Sequence, residues 1–147
     1  KKSTLDQLLL SIKQHQGLLS TFGISSQLQY HFAPPAKTIL PMPFIAQLKT
    51  FLPIFKETKT VPFTYIRCEK QQENAITFLF NNVLEEMEKR QHYAFQITIY
   101  DANKEKEAKK IQQLLSELYS NTTINHVKIN EPNMKVFGSD TLIITII

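Results

Sequence analysis

The chain has 147 residues, 42% hydrophobic and 20% charged, a globular mixture that excludes a disordered tail, a collagen-like chain and a disulfide scaffold. Its net charge of +4 is uneven, because residues 1–60 hold seven lysines against Asp6 and Glu57. Arginine is limited to Arg67 and Arg90, which argues against a reader of nucleic-acid sequence, since bidentate base contacts rely on arginine.

The single cysteine, Cys68, excludes an intramolecular disulfide and a cysteine-based zinc site. No apolar run approaches the ~20 residues of a membrane helix. No membrane-spanning segment is therefore expected, and an anchor would lie outside this sequence. The chain opens on Lys1-Lys2 and closes on Ile143-Ile144-Thr145-Ile146-Ile147. The expectation is a single domain over 1–147, itself a piece of a larger protein, in which 1–60 packs on an α/β core formed by 61–147.

Leu5, Leu8, Leu9 and Ile12 follow helical spacing behind Ser3 and Asp6, and Gly17 and Gly23 punctuate the end. Residues 26–32 alternate, with Leu28, Tyr30 and Phe32 on one side, as a strand does. Pro34, Pro35, Pro41 and Pro43 make an extended connector. Phe44, Ile45, Leu48, Phe51 and Leu52 predict a short helix that Pro53 ends or kinks, followed by a polar turn over 56–60. Val61, Phe63 and Tyr65 mark an edge strand that runs to Arg67.

Ile76, Leu79, Phe80, Val83, Leu84 and Met87 form one apolar helical stripe. Phe95, Ile97 and Ile99 alternate as a strand, and Asp101 or Asn103 is placed to cap the next helix. That helix turns Ala108, Ile111, Leu114, Leu115 and Leu118 to the core. A strand over 122–130 points Val127 and Ile129 inward and His126 and Lys128 outward. Residues 141–147 are apolar on both faces, as in a central strand. The fold class is α/β, with α+β as its variant. A mixed sheet is built from β-α-β-α-β-β in residues 61–147, after an N-terminal helix and a proline-rich connector. The short link between the Val127 and Leu142 strands predicts that they are antiparallel neighbours.

Three glycines, Gly17, Gly23 and Gly138, leave no phosphate-cradling loop, and GxGxxG, GxxxxGK[ST] and GxSxG are absent. This argues against nucleotide enzymes and the common serine hydrolases. His15, His31, His92 and His126 show no metal-ligand spacing. Cys68, placed at the end of a strand and before a helix, is the candidate nucleophile, with Asp101 beside it. The simpler readings are a half-buried structural thiol and a helix cap. Tyr30, Phe32, Met42 and Phe44 give the proline-rich segment more apolar side chains than a connector needs, so they are the candidate interaction residues.

Two resemblances follow. Residues 94–147, read as strand, amphipathic helix (Ile111, Leu115, Leu118), strand 124–129 and strand 141–147, are similar to the ferredoxin-like periplasmic domains of bacterial pilus and type II secretion assembly proteins. That resemblance implies a domain that acts by pairing, with the N-terminal helix as the end of a stalk. Asp140-Thr141-Leu142-Ile143-Ile144-Thr145 is similar to the Asp-x-Ile-Ile-Thr strand of the sugar-phosphotransferase EIIB fold and of the C-terminus of Mga-type regulators. There Cys68 would match the phosphocysteine.

The reading is therefore a non-catalytic protein–protein interaction or regulatory domain of a bacterial assembly or signalling protein. Its partner is another protein or a second copy, on the cytoplasmic or periplasmic side of a bacterial membrane. Catalysis is left open, with the balance against it, and no cofactor or metal is expected. A phospho-carrier-like regulatory domain is the alternative, and a basic nucleic-acid-binding module is the second.

Overall fold

The computed structural model describes residues 5–7, 19–25, 52–60, 64–130 and 140–147. Residues 5–7 are helical. The other elements are β1 (Ser20–Ser25), β2 (Leu52–Glu57), β3 (Thr64–Glu69), α1 (Gln72–Lys89), β4 (Gln96–Ala102), α2 (Glu105–Leu118), β5 (Thr123–Lys128) and β6 (Thr141–Ile146). The strands form one sheet in the order β3-β2-β1-β6-β4-β5. Neighbours are antiparallel except β4 and β5, which are parallel and joined through α2. The mixed α/β sheet expected from the sequence is present.

Alternation along each strand sends one set of side chains toward the helices. Phe22 and Ile24, Ile54, Ile97 and Ile99, and Leu142, Ile144 and Ile146 meet Ala75, Leu79, Val83 and Met87 of α1 and Ala108, Ile111 and Leu115 of α2 in one core. The opposite face is also buried at its centre, at Phe55, Ala102 and Thr141. β6 therefore buries both faces, as a central strand must. Gly23 belongs to that second face. A β-carbon there would collide with the Phe55 ring and stand 3.2 Å from Ile143 Cγ1, so a close approach, not a turn, requires this glycine.

Several local expectations are corrected. Gly23 does not end a helix but sits inside β1. Leu52–Phe55 are extended, not helical, and Lys56 and Glu57 continue β2. Pro53 stands opposite Cys68 in the β2–β3 ladder, and among the described residues β1 pairs with β2 only from Ile54 onward, so no described β1 bond calls on its missing N–H. Cys68 lies within β3, not after it. The strand over 26–32 and residues 44–51 of the helix expected over 44–55 fall outside the described residues. β5 and β6 are not neighbours, because β4 lies between them. The twelve residues from Ile129 to Asp140 are more than enough to skip one strand at ~4.8 Å per spacing. Leu114 and Leu118 of α2 are 38% and 56% exposed, and Val127 is 42% exposed. On β5 it is Ile124, His126 and Lys128 that share the α2 side with Ile97, Ile99 and Asp101, as the parallel register requires.

Candidate functional site

The strand directions bring the carboxyl ends of β1, β3, β4 and β5 to one edge of the sheet, with the starts of β2, β6, α1 and α2. Open α/β sheets use that edge for ligands. The turn from β4 into α2 shows how the sequence builds it. Asp101 continues the inward face of Ile97 and Ile99, Asn103 takes a left-handed conformation (φ 58°) that asparagine tolerates, and Lys104 is the helix N-cap. Neither residue expected to cap α2 occupies that position. Instead the Asp101 Oδ1 accepts the Lys104 backbone N–H at 3.1 Å, closing the turn one residue ahead of the helix.

Asp101 is 2% exposed, so its second oxygen also needs a partner. His126 supplies it through Nε2, in a short contact with Oδ2. Around this pair runs a polar network. Lys104 Nζ donates to Gln72 Oε1 at 2.7 Å and stands 3.8 Å from Asp140 Oδ1. Gln72 Nε2 donates to Glu107 Oε1 at 2.8 Å, which ties the first turn of α1 to the first turn of α2. Glu105 receives Lys128 at 2.8 Å and Lys109 at 2.9 Å, and these two ammonium groups hold its carboxyl down to about 2.

Gln72 also opens a groove of about 450 Å³ between the two helices, within the ~300–1,000 Å³ range of small-molecule sites. Ile76, Phe80, Ile111 and Leu114 line it, with Lys106 and Lys110 one helical turn apart on its rim beside Glu73 and Glu107. Ile76 and Phe80 belong to the apolar stripe of α1 yet are only half-buried, because the facing helix stands off from them. Neither Lys106 nor Lys110 forms an ion pair with a described residue. The arrangement, an apolar trough with cations at one margin, suits an amphipathic anion.

The two chemical candidates are not brought together. Cys68 is on β3 at one side of the sheet, four strand spacings from β4, roughly 19 Å at ~4.8 Å each. Burial pushes its thiol up from the ordinary value, and the Glu69 carboxylate pushes it further. That is the reverse of what an activated nucleophile needs. Tyr30, Phe32, Met42 and Phe44 lie outside the described residues. Sequence reading missed His126, Lys104 and Gln72. The available signal was a histidine alternating with lysine on a strand next to one that ends in aspartate. Among the described residues no three His, Cys, Asp or Glu side chains converge as a metal site.

Neither a family model nor a curated protein matches the sequence. Solved structures do match. One is a fatty-acid-binding DegV-family protein of Streptococcus agalactiae, at a TM-score of 0.73 and 13% identity over 97% of this chain and 49% of that one. DegV of Bacillus subtilis, described as a fatty-acid-binding protein, gives 0.66 and 19% over 97% and 49%.

The fold is shared with DegV-family proteins.

The Fak B3 protein of Streptococcus pneumoniae, a fatty acid kinase protein loaded with linoleic acid, matches at 0.75 and 10% identity over 98% of this chain and 50% of its own. The present chain thus spans about half the length of the DegV-like structures it matches. This likeness overturns the interaction or regulatory domain expected above, and with it the pilus, EIIB and Mga resemblances and the nucleic-acid alternative. Several proteins that share this fold over nearly the whole chain are described as fatty-acid-binding or hold a fatty acid. The pilus and EIIB resemblances rested on the local strand–helix–strand–strand order after residue 94 and on one strand motif. Neither depends on the order of strands in the sheet, where β6 is central between β1 and β4. Among the described residues no helix is long and apolar enough to cross a membrane.

Proposed function

We propose that this chain is a fatty-acid-binding domain, one lobe formed by residues 1–147. The observation that carries the reading is the agreement of fold, over nearly the whole chain, with proteins described as fatty-acid-binding or holding linoleic acid. The groove between α1 and α2 supports it with suitable chemistry. Ile76, Phe80, Ile111 and Leu114 offer apolar surface to an acyl chain, worth about 25 cal/mol for each Å² withdrawn from water. Lys106 and Lys110 are free to meet the carboxylate. Glu107 is occupied by Gln72, so it competes less with the ligand for them. Because the groove is open and the similar proteins are about twice as long, a second body over the ligand, from further sequence, a protein partner or a second copy, would tighten the binding that this groove provides by itself.

The test is to strip lipid from the purified chain and titrate linoleic acid under native mass spectrometry, with methyl linoleate as the control. The expected result is one linoleate per chain and at least about tenfold weaker binding of the ester, because a charge-assisted contact is lost. A folded chain that takes up neither compound would refute the reading.

A further inference from the structure

A second cavity, of about 270 Å³, lies at the opposite end of the sheet. It is bounded by the last turns of α1 (Asn82, Glu85, Glu86, Lys89, Arg90), the start of β1 (Ser20, Phe22), and the end of β2 with the turn beyond it (Lys56, Thr58, Lys59, Thr60). Four cations and two carboxylates therefore line it. One carboxylate is already satisfied. Glu86 Oε1 accepts from Ser20 Oγ at 2.8 Å and from Arg90 Nε at 3.0 Å, and Arg90 donates to Ser20 Oγ at 2.8 Å. Lys56, Lys59 and Lys89 are left facing Glu85, and none of the three forms an ion pair with a described residue.

Lys56 is the informative residue. It pairs with Phe22 across the β1–β2 ladder, two residues from Ile54, which pairs with Ile24. Lys56 thus occupies the inward face of β2 and is half-buried. A strand position on the core side ordinarily holds an apolar residue, and a half-buried ammonium there with no counter-charge in ion-pair contact is costly. A bound anion would supply that counter-charge. The negative end of the α1 dipole, which would oppose an anion, is blunted here. The carbonyls of Glu86, Met87, Glu88 and Arg90 are already capped by the N–H groups of residues 90–93, and Lys89 sits in the last turn. The Thr58 and Thr60 hydroxyls, 3.5 Å apart, add neutral groups of the kind that accompany lysine around phosphate.

We propose that this cavity is a binding site for a small soluble phosphate, inorganic phosphate or a phosphate monoester, held by Lys56, Lys59 and Lys89. It is separate from the helix groove and stands whether or not the chain binds fatty acid. The test is an NMR titration of the ¹⁵N-labelled chain with inorganic phosphate and with glycerol 3-phosphate, at low ionic strength and against sodium chloride as control. Saturable shifts confined to residues 56–60, 20–22 and 85–90 are expected, with about tenfold loss of affinity for each of Lys59→Gln and Lys89→Gln. Tighter binding of glycerol 3-phosphate would identify a monoester as the ligand, and equal or weaker binding would identify the free anion. Shifts equal to those with chloride, or unchanged affinity in the folded Lys59→Gln/Lys89→Gln double variant, would overturn the proposal.

Discussion

Asp101 shows how a neighbour changes what a residue means. From its position after Ile97 and Ile99, it is an ordinary helix cap. In the fold its two oxygens are divided between the Lys104 N–H and His126, and the carboxylate is buried. Replacing it with alanine leaves the Lys104 amide without its acceptor and His126 without its partner. Asp101→Ala is expected to cost about 1–3 kcal/mol, measured by urea unfolding. A change below a few tenths would show that neither bond matters. His126 was not legible from its own strand, because its partner lies 25 residues away and local alternation only marks it as polar. Cys68 was legible as a residue but not as a chemistry. Its thiol is raised by burial and by Glu69, so its alkylation by iodoacetamide at neutral pH should be slower than that of free cysteine. A faster rate would reopen the nucleophile question.

At the level of elements, α1 and α2 were legible because their apolar stripes repeat over several turns. β1 and β2 were not. Gly23 and Pro53 both read as breakers, yet one is needed for the Phe55 ring and the other lies just past the end of the β1 ladder. The start of α2 also carries a pH dependence. Glu105 has an ordinary value of 4.5 and is held at about 2 by Lys128 and Lys109. A carboxylate lowered in the folded state adds stability above its unfolded value and loses it as pH falls through its folded value. Its contribution should therefore be complete above pH about 4.5 and fade toward pH 2. A carboxyl ¹³C titration should place Glu105 near the lower figure, and Lys128→Met should move it upward. Because the pair is exposed, added salt should shrink the difference. A wild-type midpoint near 4.5 would contradict this account.

For the whole molecule, alternation and length were enough to specify a mixed α/β sheet but not the order of its strands. Period-2 patterning says which side of a strand is buried and is silent about which strand lies next to it. A short connection alone therefore predicts that β5 pairs with β6, whereas β4 lies between them. The ligand groove was hidden for a related reason. Ile76, Phe80 and Leu114 read as core on their own helices, and only the fold shows that they border an open groove between α1 and α2. The fatty-acid proposal places an acyl chain there. Its most direct test is a methyl-labelled NMR spectrum of the lipid-free chain titrated with linoleic acid. The proposal predicts saturable shifts at the Ile76, Ile111 and Leu114 methyls, with Met87 and Ile146, toward the opposite end of the sheet, unmoved. Linoleic acid that leaves those three methyls unshifted, or that shifts a different set, would contradict it.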